Sequence, residues 1–280
     1  MMLETDGWSD VRLPGARCFE MASEATGETY RILVRIPAEP PPPGGYPVLW
    51  MLDGDASFPM CFAEALHPAT GRDGGRADPG VIVAVGFPGG APFDVDARAR
   101  NYTPAPDGDT GDHHSPAFGG AAGFLGFLCE ELRPAIAARL PLDATRQTLF
   151  GFSYGGLFTV YAALEGHGRF QRYWAASPSL WFSGGLLLRR MRAAAPVVAG
   201  ERLVLTVGRD EQYPARDPGE ERRRHIDRRA MVDGVTEAAV LIAAANPDLR
   251  AELIVAADHD HFDMLMHGTR RARRLAFGEG

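Results

Sequence analysis

The chain has 280 residues, 45% of them hydrophobic and 23% charged, the composition of a globular protein with a sizeable core rather than of a disordered chain. All 29 basic residues are arginine, which excludes Schiff-base and P-loop lysine chemistry. A net charge of -7 gives no attraction to nucleic acid or to anionic membranes, so neither is expected as a partner.

One domain is expected over residues 1–280, since α/β folds with a single sheet reach this length. Residues 1–20 carry acids and no apolar signal stretch, and no run of ~18 apolar residues occurs anywhere, so a cytoplasmic location is the default expectation. Tyr30 to Ile36 alternates and is rich in β-branched residues, reading as a half-buried antiparallel strand before the turn-forming run Pro40 to Gly45. Val48 to Leu52 and Val81 to Val85 are short apolar runs suited to central strands of a parallel sheet. Between them, Phe58 to Leu66 suits a crossover helix and Gly71 to Gly80 a loop. Residues 86–120 lack periodicity and are rich in Pro, Gly and Asp, so a long loop bordering a substrate pocket is expected.

Phe124 to Leu140 has helical spacing, with Pro134 predicting a kink or break. Thr148 to Phe152, Tyr173 to Ala176, Leu203 to Val207 and Leu253 to Ala256 then read as strands. Helical stretches near Leu157 to Leu164, Leu186 to Ala194, Ala230 to Ala245 and Thr269 to Phe277 alternate with them or follow them. Arg222 to Arg229, interleaved with Glu220, Glu221 and Asp227, reads as a solvated helix start laced with ion pairs. Cys18, Cys61 and Cys129 are widely spaced and read as reduced core thiols.

The chemistry concentrates in Gly151-Phe152-Ser153-Tyr154-Gly155, which follows an apolar strand and precedes a helical stretch. Flanking glycines let the backbone turn sharply, so the Ser153 hydroxyl stands proud of the sheet while helix amides point at developing negative charge. A serine needs a base, and this fold's order of nucleophile, acid, histidine directs attention to Asp258-His259-Asp260-His261, after the last strand. His261 is the first choice and His259 the alternative; no third ligand lies near them, so no metal is expected. Gly208-Arg209-Asp210-Glu211, after the strand Leu203 to Val207, offers the acid: Glu211 first, Asp210 second, with a Ser-His pair alone also open. The backbone amides of Tyr154 and Asp55 are the expected oxyanion hole, with Gly54 permitting the turn.

With these motifs, Leu52-Asp53-Gly54, Tyr102-Thr103-Pro104 and Ala176-Ser177-Pro178-Ser179-Leu180-Trp181, the chain resembles the serine esterase family that includes the esterase D group. Within that family it is most similar to the trilactone siderophore esterases of the enterobactin type. The likeness runs from Pro47 to Phe277, although Asp55 stands where that branch leads one to expect Asn. The resemblance implies an α/β-hydrolase fold, a mostly parallel sheet flanked by helices, and cofactor-free hydrolysis of carboxylic esters, in the siderophore branch those of a catecholate macrolactone. A short-chain acyl esterase or a thioesterase like S-formylglutathione hydrolase would share the same machinery, and a silent binding protein of this fold is the remaining reading. Arg100, with Arg98, is placed to approach an anionic ligand, and Trp181 to stack on an aromatic acyl group. The sequence leaves the oligomeric state open.

Overall fold

The computed structural model describes residues 13–65 and 78–278. Eight strands form one sheet in the order β1-β2-β4-β3-β5-β6-β7-β8. They are β1 (Ala16–Ala22), β2 (Thr29–Arg35), β3 (Tyr46–Leu52), β4 (Val81–Gly86), β5 (Leu142–Phe152), β6 (Arg172–Ala176), β7 (Arg202–Gly208) and β8 (Arg250–Ala256). β1 and β2 run antiparallel to their neighbours, and the six from β4 to β8 are parallel. The apolar runs of β3 and β4 are buried throughout, as strands covered on both faces must be.

Helices cover both faces. On one lie α1 (Gly54–Ala65) and α9 (Asp263–Phe277), packed over Met51, Phe150, Trp174 and Val204. On the other lie α2 (Val95–Tyr102), α3 (Ala121–Gly126), α4 (Arg133–Ala137), α5 (Tyr154–Glu165), α6 (Phe182–Ala193) and α8 (Met231–Ala245), over Trp50, Leu149, Tyr173 and Leu205. The short α7 (Glu220–Arg229) is charged and largely exposed, with Ile226 buried.

Several boundaries differ from expectation for local reasons. The stretch 86–120 is not one loop: α2 lies inside it, capped by the Asp94 side chain accepting from the Ala97 amide at 2.9 Å. Its buried face rests on small and polar residues, Ala97, Ala99 and Asn101, so no apolar period announces it. Pro134 breaks nothing, because a π-helical turn over Phe127–Leu132 precedes α4 and the proline sits in that helix's first turn, where an amide is dispensable. Ala230, left-handed at φ 40°, separates α7 from α8. In α6, Ser183, Gly184 and Gly185 are left-handed too, so regular helix begins near the expected Leu186. α9 starts at Asp263, earlier than its expected Thr269. β1 escaped notice because most of its residues are exposed on an edge strand, Cys18 among them, so that of the three expected core thiols Cys61 is buried, Cys129 half-buried and Cys18 outside the core. Leu66 and most of the stretch Gly71 to Gly80 lie outside the described residues.

Candidate active site

The C-terminal ends of β5, β6 and β7 and the segment after β8 converge on one point. At the β5–α5 junction Ser153 takes φ 58°, ψ -115°, a conformation rare outside glycine that lifts its hydroxyl off the sheet. The turn depends on its glycines: a Cβ on Gly151 would stand 2.1 Å from the Gly155 carbonyl oxygen, and one on Gly156 2.7 Å from that of Ala176. The Ser153 amide donates to the Ala176 carbonyl at 2.9 Å, tying the turn to the end of β6.

Ser153 Oγ lies 3.0 Å from His261 Nε2, and His261 Nδ1 lies 2.5 Å from Glu211 Oε2. The carboxylate fixes the imidazole proton on Nδ1 and leaves Nε2 free to accept the serine proton. Glu211 Oε1 accepts from the Gly208 amide at 2.8 Å and from Ser177 Oγ at 2.5 Å. The Glu211 side chain is 2% exposed and that of His261 28%, so the acid is shielded while the imidazole keeps contact with solvent. Phe152 packs on the imidazole with ring centroids 4.6 Å apart.

The alternatives of the sequence stand elsewhere. Asp210 faces Arg209 at 3.6 Å, and His259 binds the Ala257 carbonyl at 2.6 Å and packs edge-on against His267. The Asp55 side chain pairs with Arg31 at 3.2 Å, toward β2 and Gly86 of β4, which leaves only its backbone for an oxyanion. The amides of Gly54 and Asp55 open α1, and that of Tyr154 opens α5; none of the three has an acceptor among the described residues. Helix N-termini of this kind favour negative charge.

Neither arginine expected near a ligand is free for one. Arg100 forms an ion pair with Glu28 at the loop before β2. Arg98, 8% exposed, binds Asp53 at 2.7 and 3.2 Å and the Phe152 carbonyl at 3.2 Å. Asp53 is itself left-handed at φ 53° and 2% exposed; burial pushes its carboxyl up from the usual range while Arg98 pulls it back. Trp181 packs beside Tyr154, its ring 6.0 Å from the tyrosine ring, with the Arg229 guanidinium 4.3 Å from its centroid. The Tyr154 hydroxyl donates to Asp112 at 2.5 Å, and burial followed by that bond raises its phenol far above the usual value.

Sequence reasoning missed Ser177 and the Asp53–Arg98 pair. Ser177 carried a signal, a serine directly after an apolar strand and before Pro178. The pairing of Asp53 with Arg98 had none, because 45 positions separate them.

A buried carboxylate, an imidazole and a serine thus stand in series at the strand ends of a mostly parallel sheet of the α/β-hydrolase fold, the geometry of a Ser-His-acid triad. Residues 23–246 match the family model described as "Putative esterase", and the chain belongs to that esterase family. It is 36% identical over 189 residues to the ferri-bacillibactin esterase BesA of Bacillus subtilis, covering 64% of this chain and 63% of that protein. It is 30% identical over 253 residues to a siderophore triacetylfusarinine C esterase of Aspergillus fumigatus, covering 83% and 82%. The solved siderophore hydrolase EstB from Aspergillus nidulans superposes with a TM-score of 0.81 at 26% identity, over 96% of this chain and 97% of that one. The match to BesA thus spans less than two thirds of that relative's length.

Proposed function

We propose that this protein is a serine esterase that hydrolyses carboxylic ester bonds of a siderophore, a catecholate trilactone or its linear products. The observation that carries the reading is the unbroken relay from Ser153 Oγ through His261 to Glu211, at 3.0 and 2.5 Å. In this reading Ser153 Oγ attacks the ester carbonyl and its proton passes to His261 Nε2. The amides of Tyr154 and Asp55 donate to the developing oxyanion, and the imidazolium is held by Glu211. As the tetrahedral intermediate collapses, the departing alcohol takes the proton from Nε2. Water then attacks the acyl-enzyme, gives its proton to Nε2, and the acid leaves as Ser153 is restored. In this reading Trp181, whose ring lies beside that of Tyr154, stacks on an aromatic acyl group.

Relatives whose names specify siderophore esters support the substrate class. The test is hydrolysis of p-nitrophenyl acetate and butyrate and of iron-free and ferric catecholate trilactones, by wild type and Ser153→Ala in parallel. Trilactone cleavage that dominates and vanishes in Ser153→Ala is the expected outcome. Cleavage of short acyl esters alone would leave the serine mechanism standing and sink the siderophore assignment.

A further inference from the structure

At the end of the sheet remote from Ser153, three arginines stand in a row. Arg172, Arg202 and Arg250 are the first residues of β6, β7 and β8, and the parallel register sets Arg172 beside Arg202 and Arg202 beside Arg250. Side chains alternate along a strand, so Arg172 shares its face with Trp174, Arg202 with Val204 and Arg250 with Ile254, all packed in the core beneath α1 and α9. Neighbouring strands lie ~4.8 Å apart, so three cationic stems rise side by side, and like charges opposite one another in a sheet are destabilising.

A fourth arginine, Arg274 of α9, meets this row, and with Glu201 and Asp248 the four line a cavity of about 390 Å³. That is the size range of small-molecule sites. Two of the four charges are answered within the protein: Arg172 meets Glu201 at 3.4 Å and Arg202 meets Glu252 at 2.8 Å. For Arg250 and Arg274 no carboxylate lies within ion-pair distance among the described residues. The lining therefore holds two arginines, Arg250 and Arg274, and one carboxylate, Asp248, without an ion-pair partner among the described residues, an excess of positive charge.

We propose that this cavity binds a small phosphorylated molecule, with its phosphate held between Arg250 and Arg274. A phosphate monoester carries a charge of about -1.5 to -2 at neutral pH, and its oxygens suit bidentate bonds from the Arg250 and Arg274 guanidiniums. Glu201 and Asp248 at the same cavity accept hydroxyl donors and repel further negative charge, which selects a phosphate on a hydroxylated body over a polycarboxylate. The five residues of β6 span roughly 13 Å between Arg172 and Ala176, whose carbonyl anchors the Ser153 turn, so the ligand does not touch the reacting atoms.

Isothermal titration of the full chain with inorganic phosphate, glucose 6-phosphate and citrate, against sodium chloride of matched ionic strength, tests this. Glucose 6-phosphate is expected to bind more tightly than phosphate, with citrate the weakest. Arg250→Gln and Arg274→Gln are each expected to raise the glucose 6-phosphate Kd about tenfold or more, with wild-type turnover of p-nitrophenyl acetate showing that they remain folded. Should a variant fail to fold, the wild-type Tm decides instead, and it is expected to rise with sugar phosphate and not with matched chloride. No heat from either phosphate probe, an unchanged Kd in both folded variants, a wild-type Tm that sugar phosphate leaves unmoved, or citrate binding as tightly as the sugar phosphate would overturn the proposal.

Discussion

Glu211 differs from its neighbour Asp210 in what its carboxylate touches. Glu211 accepts from Gly208 and Ser177 through one oxygen and from His261 through the other, while Asp210 faces Arg209. Removing the charge of Glu211 alone should free the imidazole to take the wrong tautomer. Glu211→Gln is expected to lower kcat by about 10²–10⁴-fold with KM little changed, whereas Asp210→Asn should stay within about twofold of wild type. Steady-state kinetics on p-nitrophenyl acetate decides it, and equal losses in both variants would remove Glu211 from its orienting role. The tight turn at Ser153 was legible in the sequence because its glycines encode it. The choice between adjacent carboxylates was not, because the single turn Arg209–Glu211 decides which of them faces the histidine.

Elements were legible where burial imposed a period. β3, β4 and β5 announced themselves through apolar runs, and α8 through its apolar length. α2 did not, since its stability lies in the Asp94 cap and in buried polar contacts made by Asn101 and Arg98. α9 starts soon after His261 and so fixes the histidine segment, and it carries a titratable group of its own. Burial first, then the charges of Arg271 and His259, pull His267 from its usual value down to about 4. Between pH 6.5 and 4 the unfolded chain binds a proton at this site that the folded chain refuses. The contribution of neutral His267 is therefore fully present above pH 6.5 and lost as pH falls through about 4. His267→Gln should flatten the fall of Tm between pH 7 and 4 relative to wild type. Parallel Tm profiles for the two proteins would show that the ring titrates normally.

Over the whole molecule, the parallel sheet and its two helical layers follow from alternating short apolar runs and amphipathic segments, and the fold class was readable on that basis. The charge pair that ties α2 to the strand ends at the site was not readable, since its two partners lie 45 positions apart. Arg98 of α2 reaches across to Asp53 at the end of β3 and to the Phe152 carbonyl at the end of β5, so one guanidinium spans both strand ends beside Ser153. Replacing a buried pair by apolar residues is often neutral, whereas breaking it strands a charge. Arg98→Met should thus cost about 3–5 kcal/mol and lower the denaturant midpoint, because Asp53 is left buried without a partner. Adding Asp53→Asn removes the stranded charge and should recover part of that loss. Esterase turnover in the stable double variant separates the pair's two duties. If turnover falls while the fold persists, the pair holds the Ser153 turn in register; if turnover is kept, it serves packing alone.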